Sequence, residues 1–588
     1  MSKSIQLPHV NTLGNIDECV KVFAGPGAGK TRWLIGQLER VLKHSNKLGK
    51  TGKIACITYT NVAAEELIDR MKYDRSRFEI STIHSFLYRN IIKPFSYHIS
   101  RDENGDDLFN IEELNGHDEH KVQDYYYRRW IETLKGNSGK NYNVYYSKDV
   151  KSKAYEELAS LDYSSKSGKI ELITRKNWGA KLPKSNKELW LYKSKYWKDG
   201  IMHHEDVLYF SYLIIKKSPR VLEFISSKFP YIYLDEFQDT TELQTWIVNE
   251  ICDKTSTTIG VVGDLAQSIY SFNGAQRKDF TNFRKGKSKD FGLDKNHRST
   301  ISIVNFLNEI RIDLKQQPKS SAVIGDSIKV LVGPIKKAEA YLRKNHPTEE
   351  IHVLARSNED VSKINGSLGK SEADLSKEIF NLDGNSQRSG LIYSILLAFK
   401  YKEKGLFSKA IKEISKPIRK KVKGDLPNIL IRRIGIDILT DIDSHLTKST
   451  KIFDFYNELK KKTKDEYGFE IGSGLSKGKA KDFYSKFSLN ELLPYVKTDT
   501  ISNDLVRTIH SSKGTEFCNT LVYFPTCKEF TTHILNGQKG IESDNDDSTR
   551  IYYVACSRAM NRLFLSIPDT NGLDFILVKK LNLEIVNV

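Results

Sequence analysis

The 588-residue chain has no apolar run of the ~18 residues that a membrane span requires. Its opening, MSKSIQLPHV, lacks the charged-then-apolar pattern of a secretory signal. Together these absences predict a cytoplasmic protein without a membrane partner. Cysteine is sparse: Cys19, Cys56, Cys252, Cys518, Cys527 and Cys556 are scattered, with no C-x-x-C pair. That spacing argues against a zinc ribbon or an iron–sulfur cluster and for reduced structural thiols. No repeat recurs at fixed spacing, and no long low-complexity tract interrupts the chain. Acidic residues are outnumbered, 74 Asp and Glu against 92 Lys and Arg, for a formal net charge of +18. Such a surplus favours a polyanionic partner, because Lys and Arg at phosphates release condensed counterions. A hydrophobic share of 39% with 28% charged residues is that of a globular protein. The length is that of roughly four domains.

The strongest local signal is VFAGPGAGKTRWL, an apolar strand end, a Gly-rich loop and a helix start. Glycines allow backbone N–H groups to turn inward at a helix N-terminus, whose dipole favours anions. In the run Ala24, Gly25, Pro26, Gly27, Ala28, Gly29, Lys30, Thr31, the lysine would reach the β and γ phosphates of a nucleotide. The Thr31 hydroxyl would ligate Mg²⁺. A second apolar strand, in FPYIYLDEFQDTT, ends on Asp235 and Glu236. The first carboxylate suits Mg²⁺ held through water, and the second suits a proton taken from an attacking water.

Eight motifs occur in an order that resembles the UvrD-like branch of superfamily 1 DNA helicases. They are AGPGAGKT (24–31), TYTNVAAEEL (58–67), STIHSF (81–86), LDEFQDT (234–240), VVGDLAQSIYSFNGA (261–275), LDKNHRST (293–300), RTIHSSKGTEF (507–517) and RIYYVACSRA (550–559). The resemblance implies ATP and Mg²⁺ as ligands and assigns roles by position. Gln238 and Gln267 would face the γ-phosphate. Arg298 and Arg558 would act as the two arginine fingers, neutralising charge on the transferred phosphoryl. Arg32 and His297 would sandwich adenine, with His297 standing where the family usually has Tyr. Glu516 would contact the ribose. The family's adenine-reading glutamine has only Gln6 as a candidate, in surroundings that match poorly.

By the same resemblance, DNA is contacted by Tyr59, Thr60, Asn61, Thr82, His84, Tyr270, Phe272 and His510, with Tyr59 and Phe272 stacking bases. Asn273 replaces a usual arginine. Between Lys121 and Gly200 the chain carries 18 Lys and Arg against 9 Asp and Glu, interleaved with Tyr125, Tyr126, Tyr127, Trp130, Trp178, Trp190, Tyr192, Tyr196 and Trp197. That composition fits a nucleic-acid face and a small domain with an aromatic core equally well.

The implied fold is α/β: two RecA-like P-loop domains with parallel sheets, each carrying a mainly helical insertion. The expected division is 1–85 with 206–295 for the first domain (1A) and 86–205 for its insertion (1B). The second domain (2A) takes 296–365 with 501–588, and its insertion (2B) takes 366–500. Within 2B, GSGLSKGKAKDF (472–483) reads as a flexible basic loop, and KPIRKKVKGD (416–425) as a solvated helix end. The implied function is a 3′→5′ DNA helicase and translocase acting on single-stranded and duplex DNA. The alternative is a DNA-sensing regulatory ATPase resembling the helicase-like subunit of Gabija-type anti-phage systems, with a separate endonuclease partner. Little chain follows the last motif, so any DNA cutting is expected from such a partner. The residues do not separate DNA from RNA, or repair from phage defence.

Overall fold

The computed structural model describes residues 15–588 apart from 72–74, 103, 115, 139–141, 167–168, 181, 184, 272–273, 368–382, 384, 404, 423–425, 427, 448, 476–477, 494–495, 497–504 and 544–545. Gln6, Phe272 and Asn273 lie outside the described residues. The chain divides into two compact units, residues 1–364 with 506–588, and residues 365–505.

The first unit contains two six-stranded sheets. In the first sheet the strands are β1 (Val20–Ala24), β2 (Ile54–Thr58), β3 (Phe78–Thr82), β4 (Tyr231–Leu234), β5 (Thr258–Gly263) and β6 (Lys289–Leu293). In the second they are β7 (Ile328–Val332), β8 (Ile351–Ala355), β9 (Val506–Thr508), β10 (Phe517–Tyr523), β11 (Ala559–Ile567) and β12 (Leu583–Asn587). All neighbouring strands within each sheet run parallel. The strand sequences explain this: VKVFA, IACIT, YIYL and TIGVVG are near-continuous runs of apolar residues, buried almost throughout. Strands covered on both faces read that way, whereas a half-solvated strand would alternate.

The strand order is β3-β2-β4-β5-β1-β6 in the first sheet and β9-β8-β10-β11-β7-β12 in the second. Numbered from each sheet's own start, these are the same order. The duplication is one of topology, without the fixed spacing that a sequence repeat needs. In both sheets the chain leaves the C-terminal strand ends into loops, the edge at which open α/β sheets bind ligands.

Between β3 and β4 lies the first insertion. It is mainly helical (Asp124–Ser138, Lys148–Leu158, Asn186–Trp197), with an antiparallel hairpin of Leu161–Lys166 against Lys169–Thr174. Tyr126, Tyr127, Trp130, Tyr192, Tyr196 and Trp197 are buried in its core. The aromatic wealth of this stretch is therefore mostly packing, and only Tyr125 and Trp178 stand well exposed. At the centre the Lys193 ammonium lies 2.9 Å from Glu205 Oε1, 2.7 Å from Asp206 Oδ2 and 2.9 Å from His203 Nδ1. Burial disfavours the Lys193 charge, but the two carboxylates outweigh it and raise its pKa. Among the described residues, His120, His203 and Glu205 form the one grouping with metal-ligand spacing. Lys193 already supplies the cation there.

The second unit is helical, built on Ser386–Glu403, Phe407–Val422, Asn428–Thr447 and Ile452–Tyr467. Leu396, Ile414, Ile434 and Tyr456 are fully buried in its separate core. Residues 416–422 of the basic run form the end of the Phe407–Val422 helix, with Pro417 inside it. Of the segment 472–483, expected as a loop, residues 472–475 are irregular, whereas a helix begins at Lys479 (Lys479–Lys486). Ala480, Phe483 and Phe487, spaced three and four apart, pack on the core of this unit from one face. No helix among the described residues is long and apolar enough to cross a membrane.

Candidate functional site

β1 delivers the chain at Ala24 into the loop Gly25–Gly29, which turns into helix α1 (Lys30–His44). Gly27 and Gly29 have φ of 65° and 81°, a left-handed conformation that turns successive N–H groups to one side. The first turn of α1 carries no acidic residue of its own, and the positive end of its dipole favours an anion there. At Gly25 the requirement is space: a Cβ there would lie 2.2 Å from the Gln316 side chain. Gln316 and Asn296 each donate from their side-chain amide to the Pro26 carbonyl at 3.0 Å, and the His297 N–H donates to the Gly27 carbonyl at 2.9 Å. The segment after β6 thus clasps the loop. A Cβ on Gly29 would meet both the Arg32 side chain and the His297 ring at 3.9 Å, so these two flank one end of the loop. Thr31 is the second residue of α1.

From Lys30 a continuous polar relay crosses to the second sheet. Lys30 Nζ lies 3.5 Å from Glu236 Oε1. Gln238 Nε2 donates to Glu236 Oε2 at 2.5 Å, and Gln238 Oε1 accepts from the Asp264 N–H at 2.9 Å. Gln267 Nε2 donates to Asp264 Oδ2 at 2.5 Å. Arg558, just before β11, donates to Gln267 Oε1 at 2.8 Å. Glu236 has φ of 51°, and such strain in a non-glycine residue concentrates at functional sites. Burial would raise the Glu236 pKa, but Lys30 and Lys513 outweigh it and hold the carboxyl far down, to about 2. Burial and the Glu236 charge push neighbouring Asp235 up to about 7. Burial and the nearby Arg298 bring Arg558 down to about 9. Arg298 is ion-paired with Glu516 and donates to the Ser557 carbonyl at 3.0 Å.

The residue set fits a nucleoside triphosphate with a divalent cation. The loop offers the N–H groups of Gly27 and Gly29 and the Lys30 ammonium to phosphates, while those of Gly25 and Ala28 donate to the Leu293 and Gly25 carbonyls. The Thr31 hydroxyl and the Asp235 carboxylate are hard oxygen donors of the kind Mg²⁺ takes. Asp235, driven towards its neutral form beside Glu236, is a carboxyl that an added cation would restore to its charged form.

A row of rings runs beside this relay. The Tyr59 and Tyr270 rings stack at 5.0 Å, and the His510 ring lies 6.1 Å beyond Tyr270. The Lys513 ammonium sits 4.7 Å over the Tyr270 ring, pairs with Asp239 and donates to the Gln267 carbonyl at 3.0 Å. Tyr59 is 38% exposed, so one end of the row meets solvent. Asn61 is exposed at the start of the helix Asn61–Arg70, which the Thr60 hydroxyl caps by accepting from the Ala63 N–H at 3.2 Å. Thr82 caps the next short helix through the Ser85 N–H at 3.4 Å. His84 stands in a different setting: its ring stacks on His204 at 5.3 Å, next to His117.

Sequence reasoning did not single out Asp239, Asp264, Asn296 or Lys513, although all four lie inside the quoted motifs. Arg311, which pairs with Asp264 at 2.8 Å, and Gln316 lie outside every motif. Only the fold brings those two to the site.

With this geometry in place, residues 8–288 match the family model of the UvrD/REP helicase N-terminal domain, and residues 398–570 that of the UvrD-like helicase C-terminal domain. The chain belongs to the UvrD/REP helicase family. Within it, the chain is 28% identical over 305 residues to a probable DNA helicase II homologue of Mycoplasma capricolum, covering 50% of this chain and 39% of that protein. It is 26% identical over 338 residues to the ATP-dependent DNA helicase PcrA of Staphylococcus aureus, covering 53% and 41%. It is 23% identical to the Gabija protein GajB of Bacillus cereus over 97% of both chains. Alignment with the two helicases thus reaches about two fifths of their length, whereas alignment with GajB runs almost end to end.

Proposed function

We propose that the chain is an ATP-driven DNA motor that moves 3′→5′ on single-stranded DNA and separates duplex ahead of it. The observation that carries this reading is the unbroken relay from Lys30 through Glu236, Gln238, Asp264 and Gln267 to Arg558. It ties the phosphate loop of one sheet to an arginine of the other, as a motor needs if hydrolysis is to change the fit of two domains. In this reading domains 1A, 1B, 2A and 2B follow the boundaries drawn from the motifs, and the sheets of 1A and 2A form the moving halves.

The loop 25–29 holds the phosphates through backbone N–H groups such as those of Gly27 and Gly29, with Lys30 at the terminal ones. Thr31 and Asp235 hold Mg²⁺, which shields the phosphate charge when bound. Glu236 is the carboxylate proposed to take the proton from the attacking water; Lys30 and Lys513 hold its basicity down, and a nucleotide that draws Lys30 to its phosphates would relieve that. Gln238 and Gln267 fix Glu236 and Arg558 in register. Arg298 and Arg558 present guanidinium groups to the charge that builds on the phosphoryl group. Glu516, now paired with Arg298, exchanges that partner for the ribose. Arg32 and His297 flank the base. DNA follows the Tyr59–Tyr270–His510 row, with Thr60, Asn61, Thr82 and His84 as further contacts; Phe272 is proposed as a contact from its motif alone.

The end-to-end match with GajB favours a second reading, a DNA-sensing ATPase subunit of an anti-phage complex that works with a separate endonuclease. Hydrolysis measured with and without single-stranded DNA, and unwinding of 3′-tailed and 5′-tailed duplexes, separate the two. The motor reading expects stimulation, unwinding from 3′ tails and loss of all activity in Lys30→Ala. Stimulation by DNA ends without processive unwinding supports the second reading instead.

A further inference from the structure

Two thiols that the motor does not use lie in contact. Cys19 Sγ and Cys252 Sγ are 3.2 Å apart, joined across 233 residues of sequence, and both are free thiols. Cys19 immediately precedes β1 and is half-buried, whereas Cys252 is buried in the helix Glu242–Lys254. The Ile259 N–H at the start of β5 donates to Cys19 Sγ at 3.4 Å. Donation from the Cys252 thiol, that N–H, and the charges of Arg284 and Lys47 bring Cys19 down to about 6, against its burial. Cys252 is driven the other way by the same bond and by burial. One sulfur is thus set as nucleophile and the other as the resolving thiol, the arrangement of redox-sensitive cysteines. The remaining cysteines differ: Cys56, Cys527 and Cys556 are buried and pushed up by burial, and Cys518 is exposed.

We propose that Cys19 and Cys252 are a modification site for hydroperoxides, which close the pair into a reversible disulfide. The Cys19 thiolate attacks one peroxide oxygen, the O–O bond breaks, and hydroxide leaves, giving the Cys19 sulfenic acid. Cys252 then attacks the Cys19 sulfur, the S–O bond breaks, and its thiol proton leaves with the departing hydroxide as water. In sum, two thiols are oxidised to one disulfide and one hydrogen peroxide is reduced to two waters. Cys19 stands at the end of β1 opposite the phosphate loop. Closure therefore staples the start of β1 to the Glu242–Lys254 helix and leaves the loop itself untouched.

The test exposes the full purified chain to hydrogen peroxide, blocks free thiols, and maps the peptides by mass spectrometry with and without a thiol reductant. The expected product is a peptide pair joining Cys19 to Cys252, two hydrogens lighter than the separate peptides and released by reductant. ATP hydrolysis is expected within about twofold of the untreated protein, since the loop stays free. In Cys252→Ser, where no resolving thiol exists, a dimedone adduct should accumulate at Cys19 well above its level in the unaltered chain. Cys252→Ala serves the same purpose if the serine variant is poorly folded. Oxidation appearing at Cys518 with no Cys19–Cys252 peptide would overturn the proposal. So would equal dimedone labelling of Cys19 with and without Cys252.

Discussion

Replacing Arg558 by Ala tests the link between the two sheets most sharply. Arg558 is 3% exposed and spends its donors on Gln267 Oε1 at 2.8 Å, the Val554 carbonyl at 3.2 Å and the Thr515 carbonyl at 3.4 Å. None of these partners carries a full charge. Burial and Arg298 work against its cation and outweigh the support of Glu236, Glu516 and Asp264, so the charge is under-compensated and available to a developing negative group. An arginine so placed in phosphoryl transfer contributes about 10³-fold or more in turnover, or about 4 kcal/mol of barrier. Its removal also strands the Gln267 carbonyl, at a cost of about 1–3 kcal/mol in stability. The assay is DNA-stimulated ATP hydrolysis at saturating nucleotide, with nucleotide binding followed separately and folding checked by urea unfolding. Turnover should fall about 10³-fold while nucleotide affinity changes little, because Lys30 and the loop remain. Arg558→Lys should recover only part of the loss, since an ammonium lacks the planar fork. A folded Arg558→Ala variant turning over within about tenfold of the parent would refute the assignment.

Tyr59→Ala should weaken single-stranded DNA binding by about 1–3 kcal/mol, read as a rise in Kd, while leaving DNA-free ATP hydrolysis unchanged. Lys193→Met would leave the buried Glu205 and Asp206 carboxylates without their ammonium and should cost about 3–5 kcal/mol in urea unfolding; a loss below about 1 kcal/mol contradicts the charge-centre account. His84 is faced by His204, His117 and Glu205, and burial together with the first two holds it down to about 3. An unfolded histidine takes its proton near pH ~6.5, so on acidification the unfolded chain binds a proton that the folded one refuses. Stability should fall by up to about 1.4 kcal/mol per pH unit below ~6.5 on account of His84 alone. His84→Phe should flatten the thermal midpoint against pH between those limits, and an unchanged slope would contradict the burial argument.

The nucleotide half of the site was legible because phosphate chemistry needs contiguous residues. A loop, a lysine and a helix start must follow one another, and paired acids must follow a strand. The two arginines were legible only through their flanking motifs, and their partners were not. Nothing in the linear order says that Arg558 meets Gln267 or that Lys513 meets Asp239, because parallel-sheet crossovers bring together residues hundreds apart. Gln316 carries no local signature at all, and it reaches the phosphate loop only because the segment after β6 folds back on it. The basic, aromatic stretch from Lys121 to Gly200 shows the opposite problem. Its composition fits a DNA face and a core equally, and burial of Trp130, Tyr192 and Trp197 decides for the core. The matching strand orders of the two sheets were invisible for a related reason. Topology repeats through strand placement, and insertions of unequal length erase any fixed spacing.

The most direct test of the motor account is the rate of ATP hydrolysis by the full chain, measured with and without single-stranded DNA at fixed salt. The account predicts strong stimulation by DNA, lost in Lys30→Ala and reduced in Tyr59→Ala. Hydrolysis at the same rate with and without DNA would contradict it.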